Sequence, residues 1–320
     1  MADIVYASND KFYKMLKCSI SSIINTISIS VHFHIISDNI STENIEDLES
    51  YVIESGNQIS VYDLKQIDMA SLENLRISKD WPIVAMARLH IEKIIPESIN
   101  HILYLDCDTL ILKDISDLFQ AKYFEKPLYG VLDCMDNTYK KRISLGVEDV
   151  YVNSGVLIYN LDFLRKNDCT TKIDEIIAKH ANTLKYPDQD VINITFKNNI
   201  GILPMKYNVV SQIFPFTLKQ YQYYRNSKLF YDDIEFNNSK IEPCILHFTS
   251  GFAFARPWYK DSKHPFRQLF RDQYILANKE LDYWGNDNRS RTQKFVAKCN
   301  SLFPTFSAYI LKMLRKVNNK

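Results

Sequence analysis

Two aspartates, Asp106 and Asp108, stand between two mainly apolar runs, residues 101–105 and 109–112. Such flanks are typical of a buried strand and not of a solvated acidic face. Because side chains alternate along an extended chain, both carboxylates are expected on one face, with Cys107 on the other. Two anions side by side at the end of a buried strand repel each other unless a cation lies between them. The spacing predicts a divalent metal site, and an acidic turn after a core strand is the alternative.

A second polar group, Asp188, Gln189 and Asp190, follows Pro187 at the expected start of a helix. Proline at an early helical position and acids in the first turn favour a helix N-terminus on their own. Plain capping is therefore an alternative role for Asp188. It explains three adjacent polar side chains less well, and we treat the group as a candidate part of a site.

The elements that must position these groups alternate between strand and helix patterns in the first half of the chain. Apolar runs at 4–7, 31–36 and 59–62 predict three strands, separated by amphipathic segments that predict helices. A further helix is expected to begin at Trp81-Pro82 and to contain Arg88. This order indicates an α/β fold with a doubly wound, Rossmann-like sheet that binds ligands at the carboxyl ends of its strands.

No glycine-rich phosphate loop is present in the sequence, neither G-x-G-x-x-G nor G-x-x-x-x-G-K-[ST]. Folds that bind phosphate through backbone groups need those glycines. Phosphate would have to be bound by a metal and by side chains, which favours the metal interpretation of Asp106 and Asp108.

The composition narrows the class of protein. Hydrophobic residues make up 46% of 320 residues and the net charge is +1, which argues against a nucleic-acid binder that works by bulk charge. Six scattered cysteines without a C-x-x-C pair, and an N-terminus unlike an export signal, favour a reducing cytoplasm. No apolar run reaches the roughly 20 residues that span a bilayer. We expect a soluble, cytoplasmic chain.

The C-terminal residues differ from the rest. Eight lysines and arginines and no acid occur from Arg289 to Lys320, and apolar residues between Phe306 and Val317 follow helical spacing. We expect one domain over 1–285 and a basic amphipathic helical tail over 286–320. Such a helix suits peripheral contact with an anionic membrane, for example the inner face of a plasma membrane. A C-terminal helix docked on the domain is the alternative.

Six motifs in order resemble glycosyltransferase family 8, especially the bacterial galactosyltransferases and glucosyltransferases that extend lipopolysaccharide. The resemblance covers roughly residues 1 to 270, and its motifs are Ile4-Val5-Tyr6-Ala7-Ser8-Asn9-Asp10, Ala87-Arg88-Leu89, Leu103-Tyr104-Leu105-Asp106-Cys107-Asp108, Asn153-Ser154-Gly155-Val156-Leu157, Asp188-Gln189-Asp190 and His247. It implies a GT-A-type fold with a mixed sheet, a UDP-hexose donor, a Mn²⁺ ion and retention of anomeric configuration.

The resemblance also implies roles for single residues. Asp106, Asp108 and His247 match the metal ligands, and two carboxylates with one imidazole suit Mn²⁺ better than Ca²⁺. The UDP site is expected to include Ala7, Ser8, Asn9, Phe12 and Cys107. The residues that match the surroundings of the donor sugar are Arg88, Asp133, Asn153, Asp188 and Gln189. Gln189 is expected beneath the anomeric carbon, and Asp190 is a candidate second nucleophile.

The closing motif departs from the family pattern H-x-x-G-x-x-K-P-W. Here His247 is followed by Gly251 and then by Arg256-Pro257-Trp258, so the loop is longer and arginine replaces lysine. Gly251 and Arg256 are expected at the diphosphate, where arginine can donate two hydrogen bonds.

The sequence therefore predicts a retaining, Mn²⁺-dependent hexosyltransferase that moves galactose or glucose to a cell-surface glycan or glycolipid. Three alternatives remain at this point. A metal-dependent nucleotidyltransferase or phosphohydrolase also uses paired aspartates at strand ends. The others are a non-catalytic nucleotide-sugar or glycan-binding protein and a self-glucosylating primer that uses one of the tyrosines.

Overall fold

The computed structural model describes residues 1–67, 72, 83–180, 183–249, 253–282, 285–287, 289–302 and 312. In these ranges the strands are β1 (Ala2–Asn9), β2 (Val31–Asp38), β3 (Gln58–Asp63), β4 (His101–Leu105), β5 (Thr109–Ile111), β6 (Leu128–Leu132), β7 (Val152–Asn160), β8 (Ile200–Ile202), β9 (Val209–Val210) and β10 (Ile245–His247). Trp81 and Pro82, where the sequence predicts a helix start, lie outside the described residues.

The α-helices of the same ranges are α1 (Tyr13–Ile24), α2 (Thr42–Glu54), α3 (Ile83–Met86), α4 (Ile91–Ile94), α5 (Asn137–Arg142), α6 (Leu161–Lys166), α7 (Cys169–His180), α8 (Pro187–Thr195), α9 (Leu218–Arg225), α10 (Asp233–Ile241), α11 (Arg267–Asn278) and α12 (Arg291–Leu302). Helix α3 continues into a 3₁₀ turn (Ala87–His90) that carries Arg88. None of these helices has the length and apolarity needed to cross a membrane.

Seven strands form the central sheet in the order β3-β2-β1-β4-β7-β6-β8. Strands β3, β2, β1 and β4 run parallel, whereas β7 is antiparallel to both of its neighbours, β4 and β6. The sheet is thus a doubly wound half joined to an antiparallel element. This confirms the predicted α/β fold with a mixed sheet and a Rossmann-like first half.

Both faces of the sheet are covered, which explains the nearly continuous apolar runs in its central strands. On β4, Leu103 and Leu105 pack into the core on one face, and Ile102 and Tyr104 pack into the core on the other. Helix α11 joins the first of these cores and packs on α1, where Asn278 donates a hydrogen bond to the Lys14 carbonyl at 3.2 Å.

A small three-stranded sheet, β5-β10-β9, lies beside the end of β4. Strand β10 is antiparallel to β5 with His247 opposite Thr109, and the Phe248 amide donates to the Asp108 carbonyl at 2.8 Å. This pairing brings a residue near the C-terminus of the domain to the turn that follows β4. Strand β10 ends at His247, where its ladder with β5 also ends.

Candidate functional site

Asp106 and Asp108 lie in a turn between β4 and β5, and not on one continuous strand as the sequence suggested. The Thr109 amide donates to the Asp106 carbonyl at 3.1 Å and closes this turn, and the Asp106 amide donates to the Gly155 carbonyl at 2.8 Å. Both carboxylates still point towards one place. Cys107 points away, with its thiol donating to the Ala7 carbonyl at 3.4 Å.

His247 meets both carboxylates, and we call Asp106, Asp108 and His247 the Asp–His cluster. The His247 Nε2 atom lies 3.1 Å from Asp108 Oδ1 and 3.6 Å from Asp106 Oδ2. One atom of each of the three side chains lies within 4.8 Å of the others. Neighbouring ligands of an ion with bonds of roughly 2.1 Å are separated by about 3 Å. Small side-chain shifts therefore suffice for these residues to hold a divalent ion.

Gly155 leaves room for the cluster. A Cβ atom at this position would lie 2.7 Å from Asp106 Oδ2 and would overlap the His247 ring. The backbone of β7 can therefore approach the carboxylate and the imidazole only because residue 155 lacks a side chain.

A chain of hydrogen bonds fixes the tautomer of His247. The Gly155 amide donates to Asn153 Oδ1 at 3.0 Å, so the amide group of Asn208 donates to the same oxygen at 2.8 Å. Asn208 Oδ1 then faces His247 Nδ1 at 3.0 Å and must accept a hydrogen bond from Nδ1–H. Nε2 therefore faces two carboxylate oxygens, where either its own proton or a bound cation supplies the positive charge that the carboxylates stabilise. Such an outer hydrogen bond is common for metal-binding histidines.

Charges in the cluster are strongly coupled. Burial alone would raise the pKa of Asp108, but His247 and Arg256 outweigh burial and hold this pKa below its usual value. Burial alone would lower the pKa of His247, and Asp108 and Asp106 outweigh it and raise that pKa. Both directions have one cause: the carboxylates stabilise positive charge on His247, and His247 and Arg256 stabilise negative charge on Asp108.

Gln189 lies at the start of α8 with its amide orientation set by its partners. Its Oε1 accepts hydrogen bonds from the Asn153 side chain at 3.0 Å and from the Ser154 amide at 3.2 Å. Its Nε2 donates to Asp133 Oδ2 at 3.1 Å. Backbone N–H groups only donate and carboxylates only accept, so the side chain cannot be rotated by 180° without losing these bonds.

Two further carboxylates adjoin Gln189, and we call Asp133, Asp188 and Gln189 the Asp–Gln cluster. Asp133 accepts a 2.6 Å hydrogen bond from Arg225, whose Nε donates to the Cys134 carbonyl at 2.6 Å. Asp188 accepts a 2.8 Å hydrogen bond from the Ser154 hydroxyl and lies 3.3 Å from the Arg88 guanidinium. Asp133 therefore has an arginine of its own, whereas Asp188 shares Arg88 with Asp106.

Arg88 links the two clusters. Its guanidinium is 5% exposed, donates to Asp106 Oδ1 at 2.8 Å and to the Ser154 carbonyl at 2.8 Å, and lies over the Tyr104 ring. An arginine buried among fixed acceptors has little conformational freedom. It therefore holds Asp106 and Asp188 at a fixed separation.

The two clusters line one cavity of about 260 Å³. Several buried polar atoms beside it have no partner in the described part of the chain, which is unusual for buried groups unless a ligand satisfies them. They are Asp188 Oδ1, Thr249 Oγ1 and Arg256 Nε. Arg256 also lies 3.1 Å from Asp108 Oδ2 and stacks over Trp258.

The residues expected around UDP lie near the site, but those that the structure describes at the end of β1 do not line the cavity. Ala7, Ser8 and Asn9 end β1 beside the turn after β4, and Asn9 Oδ1 is buried without a partner among the described residues. They do not line the 260 Å³ cavity, and neither do Phe12 and Cys107. Phe12 packs against the core. Gly251 lies outside the described residues.

Asp190, a candidate second nucleophile, lies behind the cavity instead of lining it. The Tyr151 hydroxyl donates to Asp190 Oδ1 at 2.5 Å, and Oδ2 accepts from the Tyr139 hydroxyl and from the amides of Lys185 and Tyr186. Burial raises the pKa of Asp190 to about 6. These hydrogen bonds indicate a structural role, in which Asp190 fixes the loop before α8.

Several residues of the site were not identified from the sequence, and four of them make the point. Arg225 and Tyr221 come from α9, Gln212 precedes it, and Asn208 follows a 3₁₀ turn. None belongs to a motif, and Arg225 is 92 residues from its partner Asp133. Only the folded chain brings them to the site.

Comparison with known proteins identifies the family of this chain. The model of the family described as glycosyl transferase family 8 matches residues 3–262. The chain is 29% identical over 268 residues to a lipopolysaccharide 1,2-glucosyltransferase of Escherichia coli, with 81% of this chain and 74% of that protein covered. It is 26% identical over 277 residues to general stress protein A of Bacillus subtilis (strain 168), with 85% and 91% covered.

Solved structures share the fold. The galactosyltransferase LgtC, in complex with donor and acceptor sugar analogues, superposes with a TM-score of 0.73 at 21% identity, covering 86% of this chain and 95% of that one. The glycosyltransferase GlyE of Streptococcus pneumoniae TIGR4 superposes with a TM-score of 0.62 at 18% identity, covering 91% and 67%.

Proposed function

Because this chain belongs to glycosyl transferase family 8, we propose that it moves a hexose, galactose or glucose, from UDP-hexose to a hydroxyl of a cell-surface glycan. The reaction would retain the anomeric configuration and depend on Mn²⁺. The observation that carries the proposal is the convergence of Asp106, Asp108 and His247 beside a polar cavity. Similarity to a lipopolysaccharide 1,2-glucosyltransferase supports a lipopolysaccharide acceptor.

The Asp–His cluster would hold the cation, which when bound neutralises charge on the departing diphosphate. Asp106, Asp108 and His247 supply three ligands, and the diphosphate would complete the shell. Arg256, with a buried Nε that has no partner in the described ranges, is positioned to donate to the same diphosphate.

The Asp–Gln cluster would position the donor sugar. Asp188 Oδ1 is buried, anionic beside Arg88 and without a hydrogen bond among the described residues, so it can accept from a sugar hydroxyl. Asn153 and Asp133 border the same space. Pre-set acceptors of this kind fix the ring before reaction and lower the entropic part of the barrier.

Gln189 is better suited to positioning than to attack. An amide is a weak nucleophile, and its oxygen already accepts two hydrogen bonds. We therefore favour attack by the acceptor hydroxyl on the face that UDP leaves. The bond from the anomeric carbon to the β-phosphate oxygen breaks, the bond to the acceptor oxygen forms, and the hydroxyl proton passes to the departing phosphate oxygen.

We further propose that the tail, residues 286–320, contacts an anionic membrane surface on the cytoplasmic side, where a lipid-linked acceptor is found. The apolar stripe between Phe306 and Val317 lies outside the described residues. The described part of the tail includes α12, on which Phe295 is 64% exposed and Val296 is buried in the core. Sedimentation with vesicles of phosphatidylglycerol should capture the full chain and release Arg315→Gln/Lys316→Gln, and equal capture of both would contradict membrane contact through charge.

The proposed activity is tested by incubating the chain with UDP-galactose or UDP-glucose, Mn²⁺ and candidate oligosaccharides. We expect UDP release that requires Mn²⁺, and a product whose new linkage has the α configuration of the donor by NMR. UDP binding without any turnover across the donor and acceptor panel would favour a binding protein. An inverted product would overturn the retaining mechanism while leaving the transferase assignment intact.

A further inference from the structure

Asp3, His32 and His34 form a second carboxylate–imidazole cluster at the other end of the sheet. Asp3 is the second residue of β1, and His32 is the second residue of β2 and its direct partner in the parallel register. About 20 Å of extended chain separates Asp3 from Asn9 at the carboxyl end of β1. The cluster is therefore remote from the cavity and unrelated to the proposed transfer reaction.

The inner atoms of the cluster converge. His34 Nε2 lies 3.0 Å from Asp3 Oδ1, and His32 Nδ1 lies 3.8 Å from the same oxygen. One ligand atom of each residue lies within 4.8 Å of the other two. The ligands of a tetrahedral ion with bonds of roughly 2.05 Å lie about 3.3 Å apart, a value between the two observed separations.

The outer ring nitrogens are occupied by hydroxyl groups on the next strand. His34 Nδ1 lies 2.9 Å from the Tyr62 hydroxyl, and His32 Nε2 lies 2.9 Å from Ser60 Oγ. Oxygen partners on the outer nitrogens fix the two rings and leave the inner nitrogens for an ion. This arrangement of a second layer is common around metal-binding histidines.

A simple ion pair explains only part of this geometry. One protonated imidazole would satisfy Asp3, yet two rings are held with their centroids 4.0 Å apart beside one carboxylate. If both rings were positively charged imidazolium groups at this distance, they would repel each other. A divalent ion can use both neutral rings and the carboxylate at once, and the side chains of Asp3 and His32 are 24% and 20% exposed, which gives the ion access.

We propose that Asp3, His32 and His34 bind a second divalent transition-metal ion, with Zn²⁺ the best match to one carboxylate and two imidazoles. The fourth position is open to water. The ion links the N-terminal ends of β1 and β2, on the side of the sheet away from the cavity. Tyr62 and Ser60 on β3 orient its ligands.

The test is calorimetric titration of Zn²⁺ into the untagged, chelator-treated full chain carrying Asp106→Asn and Asp108→Asn, which disables the Asp–His cluster. We expect one equivalent of Zn²⁺ to bind and to raise the melting temperature. His32→Gln in this background should abolish the binding. The matched control is His101→Gln, which changes another histidine at the start of a strand in the same sheet and should leave the binding unchanged.

Two results would overturn the proposal: no stoichiometric Zn²⁺ binding by the double variant, or equal affinity with and without His32. Tyr62→Phe gives a readout that a purely structural role would not move, because it should weaken Zn²⁺ binding by about 10-fold or more while the chain keeps its fold. If His32→Gln fails to fold by circular dichroism, Asp3→Asn provides the same comparison. Failure here leaves the hexosyltransferase proposal untouched.

Discussion

The two clusters that line the cavity contain similar residues but differ in how their charge is balanced. In the Asp–Gln cluster, Asp133 and Asp188 each face an arginine. The Oε1 and Nε2 atoms of Gln189 both have hydrogen-bond partners within the fold. In the Asp–His cluster, Asp106 and Asp108 also have arginines, yet one oxygen of each turns towards the same imidazole nitrogen.

This difference separates the two proposed tasks. In the Asp–Gln cluster Asp133 pairs with Arg225 and Asp188 lies beside Arg88, so the cluster can hold a neutral sugar through hydrogen bonds. A cluster whose three side chains face one place is stabilised by positive charge at that place. Changes on the Asp–His side should therefore act on metal and diphosphate, and changes on the Asp–Gln side should act on the sugar.

The largest effect is expected for Asp108→Asn, which removes an anionic ligand on the Asp–His side. We expect hexose transfer at saturating Mn²⁺ to fall about 1000-fold or more, because several kcal/mol of charge stabilisation is lost. UDP release in the presence of acceptor measures it. The control is Asp117→Asn, an exposed acid after β5 whose loss should change little. Near-normal turnover of Asp108→Asn would contradict a metal-binding role for the Asp–His cluster.

Arg225→Gln should affect the sugar side by about 100-fold. It removes the arginine partner of the partly buried Asp133 carboxylate and disturbs the Gln189 amide that Asp133 holds. We expect kcat/KM for UDP-hexose to fall and the Kd for UDP to stay within about twofold, with partial rescue by Arg225→Lys. Arg165→Gln is the control, since Arg165 donates to backbone carbonyls away from the cavity. Equal losses of UDP and UDP-hexose binding would contradict the assignment of the Asp–Gln cluster to the sugar alone.

Asn208→Ala should have a moderate effect on the Asp–His side only. Without Asn208 Oδ1 the tautomer and ring position of His247 are no longer fixed, so affinity for Mn²⁺ should fall about 10- to 100-fold. Saturating Mn²⁺ should restore most of the turnover. Activity against Mn²⁺ concentration measures this, with Asn160→Ala, which alters a loop contact to Phe124, as the control. A loss that Mn²⁺ does not relieve would place Asn208 in another role.

The smallest effect on activity is expected for Asp190→Asn, which should instead change the pH dependence of stability. The pKa of Asp190 is about 6 in the fold and roughly 3.9 when unfolded, so the folded chain binds more protons between these values. Its contribution to the free energy of unfolding therefore falls as pH rises from about 4 to 6. Urea unfolding at several pH values should show this slope in the wild type and not in Asp190→Asn. Parallel curves would contradict the raised pKa.

The sequence was sufficient for the family and the fold, because both depend on local patterns. Alternation around Asp106, the apolar runs of β1 and β2, and six motifs in order predicted a glycosyltransferase of family 8 with a mixed α/β sheet, and this is confirmed. The individual site roles stay predictions. The turn at Asp106–Asp108 was expected only as the alternative to a metal site on an extended strand, because a strand and a tight turn carry the same residue pattern here.

Partners brought together by tertiary packing could not be predicted. Arg225 meets Asp133 across 92 residues and Asn208 meets His247 across 39, and neither pair has a fixed spacing in sequence. His32 and His34 show strand alternation, but their carboxylate, Asp3, comes from another strand whose register only the sheet defines.

The central claim is that the Asp–His cluster binds a cation together with the diphosphate of the donor. Calorimetry of UDP binding to the wild-type chain, with and without Mn²⁺, tests it most directly. The account predicts that Mn²⁺ tightens UDP binding by about 100-fold, roughly 2.7 kcal/mol, and that Asp108→Asn abolishes this gain. Equal Kd values for UDP in the presence and absence of Mn²⁺ would contradict it.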